Sequence, residues 1–310
     1  MIKVQDVAYV RFGAPDLDAM ERFLTDFGMR TASRTPERLY MRGFGPQPFV
    51  HVTELTAEPK ALGFGLLARS RADLERLAAA RGTAVTDNPE PGGGSRVQLL
   101  DPQGLRIDVV HGFAPAAPLP VRDALTLNTF PERRRLGRTQ RPEAGPSHVM
   151  RLGHVVVKVP DFDLSMKFYA ENFGFKVTDG FFDGTPENRI VAFLRCDLGA
   201  AYTDHHSVAL GANGTGFEHC AFEVLDWDDV MVGHQFLKSR GYKHSWGIGR
   251  HIEGSQVFDY WRDPFGHKIE HWTDGDRVND TYSGRSAQIS PEAMAQWGPD
   301  VTKTDFRSDM

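Results

Sequence analysis

The order of apolar and polar positions repeats in two distant stretches of the chain. In one of them, "HVVVKVPDFDLSMKFYAENFGF", valine occupies every second position from Val155 to Val159, and this period of two predicts a β-strand. A Pro-Asp turn follows, and helical spacing then predicts a helix with Asp163 as its N-cap and a stop at Gly174. The stretch "YVRFGAPDLDAMERFLTDFGM" from Tyr9 has the same order of strand, turn and helix. These patterns predict an internal repeat.

A second pair of similar stretches supports the duplication. "LLDPQGLRIDVVHG" from Leu99 and "YWRDPFGHKIEHWTDG" from Tyr260 each predict a strand, an Asp-Pro-X-Gly turn and a returning strand. The chain therefore divides into a first half at 1–112 and a second half at 148–276. The segment 113–147 is rich in Pro and charge without a sustained period, which predicts a linker along the surface.

Each half contains the sequence of strand, helix and further strands twice. In the second half these units run at 150–210 and 216–275. Four βαβββ modules, paired into two domains, predict an α+β protein with curved, mixed and mostly antiparallel sheets and helices on the outside. The remaining tail, 277–310, mixes Trp297 and Phe306 with polar residues, and it either closes over a pocket or packs on a neighbouring subunit.

Composition narrows the class of partner. The chain has 310 residues, an apolar fraction of 40% and a formal net charge of -5, which are typical of a globular protein but unfavourable for binding nucleic acid or an anionic membrane. Cys196 and Cys220 are too few for a disulfide framework. The stretch "MIKVQDVAYV" has no basic region followed by an apolar run, and no apolar window approaches the roughly 18 residues of a membrane span, so we expect neither a signal peptide nor a membrane helix. We expect a cytoplasmic protein that acts on a small molecule.

The two halves differ at three positions that could carry chemistry. The second half has His154, His219 and Glu270, whereas the first half has no histidine at the corresponding positions. The first-half counterparts are Tyr9, Gly63 or Phe64, and Asp108. Two imidazoles and one carboxylate with open coordination positions are typical of non-haem Fe(II) sites, and a metal would offset the cost of burying Glu270. The sequence predicts a metal site in the second half and a metal-free first half.

The three candidate ligands could also serve only to stabilise the fold. Glu270 could pair with Lys268 or Arg262, and a histidine in an apolar strand is often a structural residue. Strand alternation places His219 on one face and Cys220 on the other, which argues against a cysteine ligand. The metal hypothesis is favoured because all three candidate ligands occupy comparable places in repeated modules.

At these residues the sequence resembles the type I extradiol ring-cleaving dioxygenases of the vicinal oxygen chelate superfamily. The motifs that carry the resemblance are "GHVVVKV", "HHSVAL", "GFEHCAFEV" and "GRHIEGSQVFDYWRDPFGHKIEHWTDGD". The resemblance implies a glyoxalase-like fold over 1–275. It also implies Fe(II), or alternatively Mn(II), bound by His154, His219 and Glu270.

The same resemblance implies roles for residues around the metal. His206, rather than its neighbour His205, is expected to move a proton to and from the substrate; Tyr260 is expected to bond a diol oxygen, and His251 to support the substrate. The implied reactants are a catechol-type diol and O2, and enzymes of this type often form homo-oligomers. Related biphenyl-diol enzymes have Asn where this chain has Glu253, which predicts a preference for neutral or extra-hydroxylated rings over carboxylated rings.

The expected function is therefore extradiol cleavage of a catechol-type ring with insertion of both atoms of O2, in the degradation of aromatic compounds. Two alternatives remain open. One is another metal-chelate enzyme of the same fold, an isomerase or a transferase. The other is a metal-free protein that binds aromatic ligands without catalysis. Phe181, Phe182 and Trp246 could line an aromatic site or belong to the core.

Overall fold

The first half of the chain forms one mixed sheet with two helices. The structure is a computed structural model that describes residues 1–123 and 125–301. Its first-half elements are β1 (Val4–Ala14), α1 (Leu17–Asp26), β2 (Arg30–Arg34), β3 (Arg38–Arg42), β4 (His51–Leu55), β5 (Lys60–Ala68), α2 (Arg71–Arg81), β6 (Thr86–Asp87), β7 (Ser95–Leu100) and β8 (Arg106–His111). The strands are ordered β2-β3-β4-β1-β5-β8-β7-β6 in an eight-stranded sheet.

The second half repeats this plan and adds strands from the tail. Its elements are β9 (Val149–Lys158), α3 (Phe162–Phe173), β10 (Lys176–Phe182), β11 (Arg189–Arg195), β12 (Thr203–Asp204), β13 (Val208–Gly211), β14 (Gly216–Val224), α4 (Trp227–Ser239), β15 (Lys243–His251), β16 (Val257–Arg262), β17 (Lys268–Thr273), β18 (Arg277–Val278), β19 (Ser286–Gln288), a 3-10 helix (Pro291–Ala293) and β20 (Ala295–Trp297). The ten-stranded sheet has the order β19-β10-β11-β13-β9-β14-β17-β16-β15-β20, and β12 pairs separately with β18.

The strand pairing confirms the four βαβββ modules and the α+β class. In each module the first strand pairs in parallel with the last one, as β1 does with β4, β5 with β8, β9 with β13 and β14 with β17. The first strands of paired modules are antiparallel, as in β1 with β5 and β9 with β14. Two modules therefore join through their first strands, and the centre of each sheet consists of the strands that carry the candidate residues.

Helix α3 begins two residues earlier than the sequence analysis predicted. Its N-cap is Asp161, not Asp163, because Asp161 has extended backbone angles and its side chain accepts a hydrogen bond from the backbone N–H of Leu164 at 2.9 Å. Asp163 lies in the first turn, where its charge complements the helix dipole. The predicted stop is confirmed: Gly174 is the C-cap and adopts a left-handed conformation with φ of 72°.

The linker contacts both halves, and the tail packs against the second half. Between β8 and β9, the described residues 112–123 and 125–148 form no helix or strand, and Arg122 bonds the N-cap of α4, Asp226, at 2.5 and 2.7 Å. The tail adds β19 to one edge of the ten-stranded sheet and β20 to the other. Trp297 lies in β20, whereas Phe306 lies outside the described residues. The domain boundaries at 112 and 148 stay a prediction.

The apolar side chains of both halves share one continuous buried cluster, which includes Val10 and Phe64 from the first sheet and Val155 and Phe222 from the second. This shared core fixes the two sheets relative to each other. Among residues 1–123 and 125–301, no helix combines the length and the apolar character that crossing a membrane requires.

Candidate metal centre

Three adjacent strands bring the predicted metal ligands together. On the central strand β14, Ala221 is paired with His154 of β9 on one side and with Glu270 of β17 on the other. His219 lies two residues before Ala221 and therefore on the same face of β14. The parallel pairing of β14 with β17 and the antiparallel pairing with β9 thus place two imidazoles and one carboxylate around a single point.

The geometry of these three side chains fits a bound metal ion. Nε2 of His154 lies 3.3 Å from Oε2 of Glu270, and Nε2 of His219 lies 3.2 Å from the same oxygen. All three candidate ligand atoms lie within 4.8 Å of one another, and Glu270 is completely buried. Nε2 of His219 and both carboxylate oxygens of Glu270 have no hydrogen-bond partner among the described residues. Because unpaired buried polar atoms are costly, these atoms are suited to a divalent cation that completes their coordination.

Electrostatics favours the metal-binding protonation states of Glu270 and His154. Burial would raise the pKa of Glu270, but its close contacts with His154 and His219 hold that pKa well below its usual range. Burial lowers the pKa of His154, so its imidazole is neutral and offers a lone pair. The structural alternative for Glu270 is wrong in this geometry, since Lys268 bonds Glu218 and Arg262 donates to the carbonyl of Gly266 at 2.8 Å.

Glu218 is a functional residue that sequence reasoning missed. Its carboxylate accepts hydrogen bonds from Nδ1 of His219 and from Nζ of Lys268. Burial would raise the pKa of Glu218, but His219 and Lys268 lower it to about 2. His219 therefore carries a proton on Nδ1, and Nε2, which lies beside Glu270, is the nitrogen that would bind a metal. The pairing of β14 shifts by one residue between Phe217 and His219. This bulge lets the neighbours Glu218 and His219 face the same side of the strand, contrary to simple alternation.

The Glu218→Gln substitution should weaken metal binding without removing a ligand. An amide orients the imidazole of His219 less strongly than a carboxylate does, so we expect metal affinity to fall about 10- to 100-fold. A titration of the metal-free protein with Fe(II) or Mn(II) measures this change. Glu223→Gln is the matched control, because Glu223 lies on the same strand and pairs with Arg151. Equal metal affinities for wild type and Glu218→Gln would contradict the role of Glu218.

The candidate ligands open into a cavity of about 500 Å³. Its walls are mostly apolar, with Val156, Phe181, Ile190, Val191 and Phe193 among the lining residues. The tail forms a further wall through Ile289, Pro291, Ala293 and Met294. The tail thus closes over the pocket of its own chain, which was one of the two predicted alternatives.

Phe181 is the only one of the three aromatic candidates that lines this cavity within the described part of the chain. Trp246 instead packs behind the wall, where it stacks on Tyr260 at 5.5 Å between ring centroids and donates from Nε1 to the carbonyl of Pro299 at 2.9 Å. It therefore supports the position of Tyr260 rather than contacting a bound ligand.

The structure also brings His206, Tyr260 and His251 to the cavity. The ring of His206 lies 4.2 Å from that of His154, measured between centroids. Tyr260 is paired with Glu270 across β16 and β17, and its hydroxyl lies 2.9 Å from Nε2 of His251. Five of the six residues predicted from the sequence therefore line one cavity, and the sixth, Glu270, lies beside His154 and His219, with ligand atoms within 4.8 Å of one another.

Hydrogen bonds and burial define the protonation states of His206, His251 and Tyr260. Nδ1 of His251 lies 2.9 Å from the carbonyl of Met294 and must donate to it, so Nε2 accepts the hydrogen bond of the Tyr260 hydroxyl. Burial lowers the pKa of His251 to about 4 and lowers that of His206 well below its usual range, with neighbouring imidazoles adding to the effect on His206. Burial and the Glu270 charge raise the pKa of Tyr260 well above its usual range. The site thus presents neutral imidazoles and a protonated phenol.

Glu253 lines the cavity and is paired with a cation. Its carboxylate forms a salt bridge with Arg285 of the tail at 2.7 Å. The expectation that Glu253 disfavours carboxylated rings assumed an uncompensated negative charge. Arg285 offsets part of that charge, and the preference for neutral rings stays a prediction.

The corresponding place in the first half contains an ion-pair network. Tyr9, Gly65 and Asp108 are paired across β1, β5 and β8, so the position equivalent to His219 is Gly63. The hydroxyl of Tyr9 donates to Asp108 at 2.8 Å, and Arg106 donates to both oxygens of the same carboxylate. The first half therefore satisfies its buried carboxylate with donors of the protein itself.

A second group of potential ligands lies on the opposite face of β16. Asp259 accepts hydrogen bonds from His234 at 3.1 Å, from His244 at 2.8 Å and from Nε1 of Trp261 at 2.6 Å. Its oxygens are thus already paired, in contrast to those of Glu270. The unpaired ligand atoms distinguish the centre formed by His154, His219 and Glu270 from the group around Asp259.

Comparisons with known proteins agree with this geometry. Residues 151–271 match the glyoxalase/bleomycin resistance protein/dioxygenase superfamily. The chain is 30% identical over 310 residues to metapyrocatechase 2 of Cupriavidus necator, covering 98% of this chain and 92% of that protein. It is 30% identical over 159 residues to an iron-dependent extradiol dioxygenase of Rhodococcus jostii strain RHA1, covering 49% and 51% of the two chains. A Mn(II)-bound glyoxalase from Novosphingobium aromaticivorans superposes with a TM-score of 0.81 at 26% identity, covering 97% and 93%.

Proposed function

Because this chain belongs to the extradiol dioxygenases of the glyoxalase/bleomycin resistance protein/dioxygenase superfamily, which open the rings of aromatic diols, we propose that it cleaves a catechol-type diol with O2 at one Fe(II) ion. His154, His219 and Glu270 would hold this ion. The observation that carries the proposal is the set of unpaired, buried ligand atoms at the end of an apolar cavity. Two nitrogen donors and one carboxylate suit Fe(II), and Mn(II) is the alternative metal.

The cavity is suited to an aromatic ring. Its volume of about 500 Å³ lies within the range of small-molecule pockets, and its apolar walls would contact the ring faces while the polar residues contact the hydroxyls. When bound, the metal supplies a Lewis-acidic centre with open positions that lowers the pKa of a diol hydroxyl and gathers both reactants. Phe181 and Phe193 would restrict the substituents that the ring can carry.

The neighbouring side chains would transfer protons and bind the oxygen atoms of the substrate. His206 is neutral and lines the cavity, so it can accept the proton of a diol hydroxyl and later return it to an oxygen of the substrate. Tyr260 stays protonated, and its single hydroxyl proton, which Nε2 of His251 accepts in this structure, would turn to an anionic diol oxygen when a diol binds. The tail and the apolar walls exclude water from these groups.

Anaerobically purified protein provides the direct test. We expect about one iron ion per chain, and oxygen uptake with formation of a yellow ring-opened product on addition of catechol or 2,3-dihydroxybiphenyl. Bound iron without oxygen uptake on a wider panel of diols would favour a different metal-chelate reaction. Failure to bind Fe(II) or Mn(II) after reconstitution would favour a ligand-binding protein.

Cytoplasmic location and homo-oligomeric assembly accompany this function as expectations. Light scattering during gel filtration determines the assembly, and a mass equal to one chain would contradict it.

A further inference from the structure

A chain of buried hydrogen bonds leads away from His206 into the protein. Nδ1 of His206 lies 3.0 Å from Nδ1 of His205, and Nε2 of His205 lies 2.7 Å from Oδ2 of Asp179. The three side chains are at most 3% exposed. Only His206 of the three lines the cavity, so Asp179 and His205 lie behind the residue that faces the substrate.

The partners of Asp179 fix the direction of every proton in this chain. Oδ2 of Asp179 also accepts from the Tyr282 hydroxyl at 2.9 Å, and Oδ1 accepts from the backbone N–H of Arg285 at 2.6 Å. Burial would raise the pKa of Asp179, but His205, Arg285 and Tyr282 lower it to about 2. An ionised carboxylate can only accept, so His205 donates to it from Nε2.

The tautomer of His205 then determines that of His206. With a single proton, on Nε2, His205 has a lone pair on Nδ1, and at 3.0 Å this lone pair accepts a hydrogen bond from Nδ1 of His206. A neutral imidazole carries one proton, so Nε2 of His206 is unprotonated. The nitrogen that remains available to the cavity is therefore a base.

We propose that Asp179 and His205 are positioning residues that hold His206 as its Nδ1-protonated tautomer, ready to receive a substrate proton on Nε2. This inference rests on the proposed function, because it assigns His206 to proton transfer. The diol loses a proton, His206 becomes an imidazolium, and the Asp179 carboxylate stabilises that charge through His205. Return of the same proton to a substrate oxygen restores the neutral imidazole.

The tail and a glycine keep this arrangement in place. Tyr282 and Arg285 belong to the tail, and the Arg285 side chain also pairs with Glu253. A Cβ atom on Gly254 would lie 3.1 Å from Nδ1 of His205, and Gly254 has a φ of 79°, which favours glycine. Through these contacts, the tail and Glu253 act on the orientation of His206 as well as on the shape of the pocket.

Asp179→Asn provides the sharpest test because it reverses the tautomers. The amide must present its NH2 group away from the backbone N–H of Arg285, and therefore towards His205 and the rotatable hydroxyl of Tyr282. His205 would then accept on Nε2 and donate from Nδ1, which leaves His206 with its proton on Nε2. Nitrogen-15 NMR of metal-free protein labelled at histidine distinguishes the two tautomers.

In wild type, NMR should show the Nδ1-protonated form of His206, and in Asp179→Asn the Nε2-protonated form. With iron restored, we expect the variant to lose about 100-fold in kcat on a diol, with unchanged metal content and KM. Asp183→Asn is the matched control, because Asp183 lies just beyond the same strand and does not line the cavity; it should keep the wild-type spectrum and kcat.

An Nε2-protonated His206 in wild type would overturn the inference, and this measurement needs no variant to fold. A wild-type kcat in Asp179→Asn would also overturn it, even if ring cleavage itself is established. Conversely, absence of activity in wild type would refute the proposed function, while the NMR result would still decide the tautomer.

Discussion

His154→Ala should purify without its metal ion and without ring-cleaving activity. The substitution removes one of three candidate ligands whose nitrogen lies 3.3 Å from Glu270, and two protein ligands hold a divalent cation poorly. The loss should exceed the roughly 10- to 100-fold drop in affinity that follows removal of a residue that only orients a ligand. Metal analysis of anaerobically purified protein gives the first reading.

Thermal unfolding gives a reading of the same variant that does not depend on activity. A metal that binds only the folded state stabilises wild type by about 2.7 kcal/mol when its free concentration is 100 times Kd. Addition of the same metal should not stabilise His154→Ala against unfolding. His111→Ala is the control, since His111 lies in β8 of the first sheet. This variant should be stabilised by the metal as much as wild type is. Full metal occupancy in His154→Ala would reject the ligand assignment.

The fold and the candidate ligands could be predicted because their signals are local and repeated. Strand alternation, helical spacing and Asp-Pro turns occur in each half, so the modules follow from short windows of sequence. Comparison with the first half singles out His154 and His219, because Tyr9 and either Gly63 or Phe64 stand at the matching positions. In a duplicated chain, one half thus serves as the reference that shows which positions of the other half have changed.

The residues that were missed depend on features without a local signal. Glu218 faces the site only because a bulge in β14 breaks the alternation that the sequence suggests. Asp179 acquires its role from Tyr282 and Arg285, which lie more than 100 residues away and reach it only after the tail has packed on the sheet. The same packing placed the tail at both sheet edges, a result that no pattern within 277–310 indicates.

His206→Phe should keep its iron and lose most of its turnover, because phenylalanine replaces the imidazole with a ring that cannot carry a proton. Iron should remain at the wild-type level, since His206 is not one of the three grouped ligands. Loss of a general acid and base typically costs about 10²- to 10⁴-fold in rate, and we expect kcat to fall within that range. Metal analysis and oxygen uptake on the same sample measure both quantities.

The control for His206→Phe must change the pocket without removing a proton carrier. Phe193 lies 5.0 Å from the His206 ring between centroids and lines the same wall, so Phe193→Leu should alter KM more than kcat. A His206→Phe enzyme with wild-type kcat would remove His206 from proton transfer, and the Asp179–His205 chain would then have no proton carrier to position. A loss of iron in that variant would instead show that His206 supports the metal ligands, since its ring packs against His154.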